Sequence, residues 1–222
     1  MIPPTVGLLF TSVTTVMNVQ RLNSLRHWIF DMDGTLTVPS HDFPYMRRQL
    51  GMAEGDLDIL AYVARHNEAE AAQMNQWLWD YEVDLAENAE PATGAADLVQ
   101  HLHEQERKLA ILTRNDKKLA LITLQAIGLL HYFDESVILG RDEATPKPHP
   151  AGIDHILQHW HAANDDAIMV GDYEYDLSAG RSAGVHTLLV HPKANHWPEL
   201  SDYYFEHCGG VLSSLVQGIE VK

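Results

Sequence analysis

Cationic side chains are scarce in this sequence. Among 222 residues only 15 are lysine or arginine, against 31 aspartates and glutamates, for a formal net charge of −16. Nucleic acids and anionic membranes are held through clustered lysine and arginine, so neither is expected as a partner. Any phosphate bound here must be held locally. Cysteine is almost missing as well: Cys208 stands alone, which excludes an intramolecular disulfide and fits a reducing, cytoplasmic setting. It does not open a cysteine-phosphatase loop either, because Ser214 occupies the position six residues later where an arginine would be wanted. No apolar run approaches membrane-spanning length. Residues 2 to 17 are mildly apolar, but no lysine or arginine precedes Arg21 and threonine and serine interrupt the run, so a secretory signal is not expected. Residues 1 to 23 read as an N-terminal extension, with Met17 as the functional start. A P-loop and a dinucleotide glycine fingerprint are both missing.

What the chain does have is enough apolar material, 45% of its residues, to bury a core of one domain plus an insertion, as a monomer or homodimer. The runs at 27–31, 108–113, 135–140, 167–172 and 185–190 are short enough for buried strands. Helical periods lie between most of them: Leu98, Val99 and Leu102 mark one over 93–106, Leu119, Ile122 and Leu124 another over 116–127, and Ile153, Ile156 and Leu157 a third over 150–160. Strands alternating with helices predict an α/β fold, a doubly wound parallel sheet. Ligands of such sheets bind beyond the carboxyl ends of the strands. That is where Asp31, Asp33, Thr113 and Asp172 fall.

Residues 38–90 break the alternation. They show three helical faces and no convincing strand: Phe43, Met46 and Leu50; then Leu57, Leu60 and Val63; then Met74, Trp77, Leu78, Tyr81 and Leu85. Pro39 on one side and Pro91 with Gly94 on the other bound the segment. It reads as a small inserted α-helical cap, leaving 24–37 and 91–222 as the catalytic core.

The stretch Asp31-Met32-Asp33-Gly34 ends an apolar strand with two carboxylates. Residues i and i+2 of an extended segment project to one side, so both aspartates would face a pocket, with Gly34 permitting a tight turn. Phosphate monoesters hydrolyse extremely slowly in water, and two carboxylates can divide the work. Asp31 can attack phosphorus and carry an aspartyl-phosphate; Asp33 can protonate the leaving oxygen and then deprotonate water. Two unit charges 4 Å apart interact by about 4 kcal/mol at an effective dielectric near 20, so cations are required beside them. Mg²⁺ suits a site made of one or two carboxylates and a substrate phosphate, and Asp31 and Asp172 fit that description. A calcium loop beginning at Asp31 is disfavoured, because its sixth position is Leu36 rather than glycine.

Four segments in order, DMDGTLT at 31–37, LTRN at 112–115, PKPHP at 146–150 and GDYEYD at 171–176, resemble the four motifs of the haloacid dehalogenase-like superfamily of phosphatases. The AGRSAG at 179–184 also resembles the stretch just after the fourth motif in that superfamily. The resemblance runs from about residue 26 to the C-terminus and is nearest to the group with helical caps that includes phosphoglycolate phosphatase and β-phosphoglucomutase. Two departures stand out: Tyr173 where serine is frequent, and a short cap. The resemblance implies a Rossmann-like core, the backbone carbonyl of Asp33 as a further metal ligand and Asp176 in the outer shell. It also implies Lys147 as the lysine that offsets charge, and Thr113 with the N–H groups of Arg114 and Asn115 as a phosphoryl cradle. The expected function is Mg²⁺-dependent hydrolysis of a small phosphorylated metabolite. A phosphomutase and a phospho-accepting signalling domain are the alternatives, and the second is disfavoured by the cap and by Asp33.

The insert carries eleven acids against three bases, Arg47, Arg48 and Arg65, a surface no polyanion would choose. Arg47 or Arg48 is a candidate contact for a second anionic or hydroxylated group of the substrate. His155 and His159 have helical i, i+4 spacing but no third ligand is indicated, so a solvated face is the expected reading.

Overall fold

A computed structural model of the chain describes residues 19–220, with side chains to 217. The expected start at Met17 and most of the 1–23 extension lie outside the described residues. Six strands form one sheet, all parallel, in the order β3-β2-β1-β4-β5-β6. They are β1 (His27–Phe30), β2 (Lys108–Leu112), β3 (Ile138–Leu139), β4 (Ala167–Gly171), β5 (His186–Val190) and β6 (Tyr203–Phe205).

Alternating side chains explain why these runs read as continuously apolar. Trp28 and Phe30 of β1, with Leu109 and Ile111 of β2 and Ile168 and Val170 of β4, point into one core. Ile29, Ala110, Leu112 and Met169 point into a second core on the other face. A strand covered on both faces has no polar side, which is the usual condition of a parallel sheet. The first core is closed by α4 (Ala95–Glu104), α5 (Lys117–Ala126) and α8 (Cys208–Glu220), through Leu98, Leu102, Leu124, Val211 and Leu215. The second is closed by α6 (Ala151–Trp160) and α7 (Glu174–Ala183), through Ile153, Ile156, Leu157 and Ala179. Fully burying a side chain of this kind stabilises the fold by about 1.5–3 kcal/mol.

Between β1 and α4 lie α1 (Phe43–Gln49), α2 (Ile59–Val63) and α3 (Glu68–Glu87). Asp42, Asp58 and Asn67 cap their N-termini by accepting from the backbone N–H groups of Tyr45, Ala61 and Glu70, each satisfying a donor the helix leaves open. Met46, Leu50, Val63 and Leu78 form a small apolar cluster of their own, with Met74, Trp77 and Tyr81 packed on it. The Trp77 and Tyr81 rings stack at 5.5 Å. Phe43 and Leu57, expected on buried faces, are instead 51% and 71% exposed, because each lies at or before a helix start, outside the packed turns. The chain leaves and re-enters the sheet layer at adjacent points: Thr37 bridges Pro91, and the Val38 N–H donates to the Glu90 carbonyl at 2.9 Å.

Two strands differ from the sequence reading. The run 135–140 yields only the two-residue β3, since Asp134 accepts from the Ser136 N–H and starts a 3₁₀ turn over 135–137. The edge strand β6 has no counterpart among the expected strands.

Candidate active site

The strand order reverses beside β1, which has β2 on one side and β4 on the other. Such a switch point opens a crevice beyond the carboxyl ends. Asp31 follows β1 there, its N–H still donating to the Val170 carbonyl at 2.8 Å, and Asp172 follows β4. Gly34 turns the chain away at φ +86°, and a Cβ on it would collide with the Asp172 carboxylate. The N–H groups of Leu36 and Thr37 both donate to the Met32 carbonyl, at 2.9 and 3.0 Å, winding the loop tightly. Gly171 allows a similar approach, since a Cβ there would meet the side chain of Asp176.

Lys147 lies at the centre, 2% exposed. Its Nζ donates to Asp31 Oδ1 at 2.5 Å and reaches Asp176 Oδ1 at 2.7 Å. Asp176 Oδ2 also accepts from the Tyr173 N–H at 3.1 Å, so both of its oxygens are engaged. Asp31 Oδ2 accepts from the Thr35 hydroxyl at 3.4 Å. Carboxylate oxygens of Asp31, Asp172 and Asp176 lie within 4.8 Å of one another. Burial pushes Asp31 up to about 7; Lys147 opposes the rise, while Asp176 and Asp33 add to it. Asp172 is pushed up to about 8 by burial and by Asp31 and Asp176. Burial works against the charge on Lys147, but Asp176 and Asp31 outweigh it and hold the ammonium above its ordinary value.

Asp33 faces a different set of partners. Its Oδ2 accepts from Asn115 Nδ2 at 2.8 Å, and His41 Nδ1 lies 3.8 Å from Oδ1. Burial raises its carboxyl to about 6, against the opposing pull of Lys147, a range suited to exchanging protons near neutrality. Thr113 is buried and its Oγ1 accepts from the Asn115 N–H at 3.1 Å, which leaves its own hydroxyl proton free to point elsewhere. The Arg114 side chain is committed to the insert: it donates to Asp58 at 2.7 Å and lies over the Tyr175 ring at 4.9 Å. Asp31, Asp33, Thr113, Asn115, Lys147, Asp172 and Asp176 therefore lie at one end of the sheet, linked through these contacts. Arg47 and Arg48 sit in the last turn of α1, half-buried and exposed respectively, and neither donates to any of these aspartates among the described residues. Sequence reasoning missed Thr35 and His41, although both lie within ten residues of Asp31, Thr35 donating to Asp31 and His41 lying beside Asp33. It also missed Glu82, which lies on α3 and has no local signal.

The donor set tests whether a cation belongs here. Three clustered carboxylates with one compensating lysine, two of them held well above their ordinary range by burial and mutual repulsion, fit a hard divalent ion with oxygen ligands. Asp31 and Asp172 would hold it, with Asp176 behind them. Cys208 takes no part: it is buried against the Thr35 carbonyl, and burial pushes its thiol up to about 12.

A model of the haloacid dehalogenase-like hydrolases matches residues 52–190, well over half of the chain. The chain belongs to the haloacid dehalogenase-like hydrolases. Among curated relatives of this hydrolase, a haloacid dehalogenase-like hydrolase domain-containing protein of Arabidopsis thaliana is 29% identical over 189 residues, covering 79% of this chain and 74% of its own. A pyrophosphatase, PpaX, of Halalkalibacterium halodurans is 38% identical over a shorter stretch of 101 residues, 46% of each chain. Among solved structures, a hydrolase from Pseudomonas syringae superposes with a TM-score of 0.70 at 19% identity, over 86% of this chain and 98% of its own. That likeness establishes the α/β fold of this hydrolase. None of its described helices is long and apolar enough to cross a membrane.

Proposed function

We propose that this hydrolase is a phosphatase that cleaves a small phosphomonoester through a phosphoryl group carried on Asp31. The observation that supports the reading most directly is the cluster of Asp31, Asp172 and Asp176, with the buried Lys147 paired to Asp31 and Asp176. So many carboxylates around one ammonium make sense where a phosphoryl group and a cation enter together. In the first step the Asp31 carboxylate attacks phosphorus, the bond from phosphorus to the leaving oxygen breaks, and Asp33 gives that oxygen its proton. In the second, Asp33 takes a proton from water, the water oxygen attacks phosphorus, and the acyl-phosphate bond breaks to free Asp31 and inorganic phosphate. Lys147 fixes the Asp31 carboxylate and offsets charge throughout. The Thr113 hydroxyl and the adjoining N–H groups hold phosphoryl oxygens. A Mg²⁺ ion held by Asp31 and Asp172 would supply the remaining neutralisation of the phosphate dianion.

The helices over 38–90 then act as the cap, with the Arg114–Asp58 contact joining it to the catalytic loop, in a cytoplasmic enzyme. The relative named a pyrophosphatase and others named phosphoglycolate phosphatase support phosphoryl chemistry without fixing the substrate. In a broad panel of phosphorylated metabolites, phosphate release should require Mg²⁺ and stop with EDTA. Asp31→Asn should keep the fold and abolish turnover, because the amide matches the carboxylate in size but is a poor nucleophile. Near wild-type release from the folded variant would refute the reading.

A further inference from the structure

Glu82 is a buried acid that the proposed reaction does not use. It projects from α3 and is 6% exposed, and its Oε2 has no hydrogen-bond partner among the described residues. The nearest cation, Arg141, lies 3.9 Å away, too far for a hydrogen bond. A buried carboxylate oxygen without a hydrogen bond is costly even with a cation nearby, so such an atom is normally satisfied by something. Glu82 lines a pocket with Asp33, Ser40, His41 and Asn115. Neither lysine nor arginine contributes to that lining, and burial holds His41 below its ordinary value, which favours the neutral imidazole. The space left for the centre of a water-sized sphere is about 10 Å³, room for one group of that size. Burial, tempered by Arg141 and reinforced by Asp33, pushes the Glu82 carboxyl up to about 7.

The direction of this pocket gives it a role, provided the proposed chemistry holds. Asp33 is the group that protonates the leaving oxygen, so the space on its Glu82 side receives the leaving group. From this geometry we propose that Glu82 selects the leaving group of the substrate: it takes a terminal hydrogen-bond donor, a hydroxyl or an ammonium, and rejects a terminal carboxylate or second phosphate. An anion placed there would face Glu82 and Asp33 with no arginine or lysine in the lining, and like charges brought together in an enclosed site are strongly disfavoured. A donor satisfies Oε2 and adds no negative charge. Arg47 and Arg48 do not line this pocket, so the second anionic group for which the sequence offered them has no counterpart here.

Three two-carbon substrates of nearly equal size isolate the terminal group: 2-hydroxyethyl phosphate, phosphoethanolamine and phosphoglycolate. At pH 8, where Glu82 is ionised, the wild-type enzyme should favour at least one of the first two over phosphoglycolate by about tenfold or more in kcat/KM. Glu82→Gln keeps the shape and removes the charge, and should shrink that preference to within about threefold. Its loss should be larger for the ammonium compound if that is the natural donor, and smaller for the hydroxyl compound, which the amide oxygen still accepts. A wild-type preference for phosphoglycolate or pyrophosphate overturns the inference without need of any variant. So does a substrate ratio that Glu82→Gln leaves unmoved. The underlying reading has its own control: if nitrophenol release from p-nitrophenyl phosphate survives Asp31→Asn, the proposed chemistry fails. If that release depends on Asp31 and the ratio does not depend on Glu82, only the selectivity fails.

Discussion

Replacing Lys147 by methionine removes a charge from the site with little change in shape, since both side chains are unbranched and flexible. The ammonium is 2% exposed and lies 2.5 Å from Asp31 and 2.7 Å from Asp176. Taking away one partner of a buried ion pair costs about 3–5 kcal/mol, because the other charge is left uncompensated. Here two carboxylates are left, with Asp172 beside them. At roughly 2–4 °C per kcal/mol for a domain of this size, Lys147→Met should lower Tm in EDTA by about 6–20 °C. A bound cation restores part of this: Mg²⁺ at 100 times its Kd contributes about 2.7 kcal/mol to any state that binds it. The variant should depend on Mg²⁺ for stability more than the wild type does, so the upward shift of Tm on adding Mg²⁺ should be larger in the variant. Activity should fall even where the fold is rescued. Lys147 is what holds Asp31 down to about 7 against burial, and without it the carboxyl stays protonated to higher pH and is not a nucleophile. Thermal unfolding in EDTA and in Mg²⁺, with phosphate release across pH, measures all of this. An unchanged Tm in EDTA, or an equal Mg²⁺ shift in both proteins, would show that Lys147 is not the group that offsets the carboxylates.

Two other substitutions test separate parts of the site. Asp33→Asn should still let p-nitrophenyl phosphate transfer its phosphoryl group to Asp31, because nitrophenolate leaves without a proton. Rapid-quench kinetics should then show a burst of nitrophenol followed by a stall as water goes unactivated, while an alkyl phosphate gives no burst. General acid or base help is worth about 10²–10⁴ in rate, so steady turnover at the wild-type rate would remove Asp33 from the proton path. Gly34→Ala forces a side chain into the left-handed region at φ +86° and onto the Asp172 carboxylate. The backbone strain alone costs about 1–2 kcal/mol, so Tm should drop by a few degrees, and displacement of Asp172 should weaken the Mg²⁺ response. An unaltered Mg²⁺ titration would show that the Asp172 position does not matter to the ion.

Strands β1, β2, β4 and β5 are visible in the sequence because a strand covered on both faces has no polar alternation to confuse the run. Strand β6 is hidden for the opposite reason. Tyr203, Tyr204 and Phe205 are only half-buried at a sheet edge, and three residues carry no measurable period. Asp31, Asp33 and Asp172 are legible because each sits just beyond a strand end, where motif and geometry coincide, whereas Lys147, in the loop between β3 and α6, and Asp176, in the first turn of α7, are legible from the motif resemblance alone. The partners of Asp33 are not: Asn115 donates to it from 82 residues away, and Glu82 approaches from a helix whose face toward the pocket depends on how α3 packs on the core. The same blindness applies to Arg47 and Arg48. Their charge is visible in the sequence, but the direction in which the last turn of α1 points is a tertiary fact.

The acid excess of the whole chain takes on a local meaning at the switch point. Asp31, Asp33, Asp172 and Asp176 share one buried cation, Lys147, and burial raises three of the four carboxyls above their ordinary range. The fold tolerates this strain because the strand ends and glycine turns leave the acids nowhere else to go: Gly34 and Gly171 bring backbone to within contact of Asp172 and Asp176. A site preorganised in this way binds charge it does not contain. A divalent ion held by Asp31 and Asp172 would relieve both, and a phosphoryl group would then meet less repulsion at the site. Glu82, in the pocket beside Asp33, has only Arg141 at 3.9 Å to offset its charge and no hydrogen bond to its Oε2 among the described residues, which is why the proposed selectivity is for a donor and against an anion.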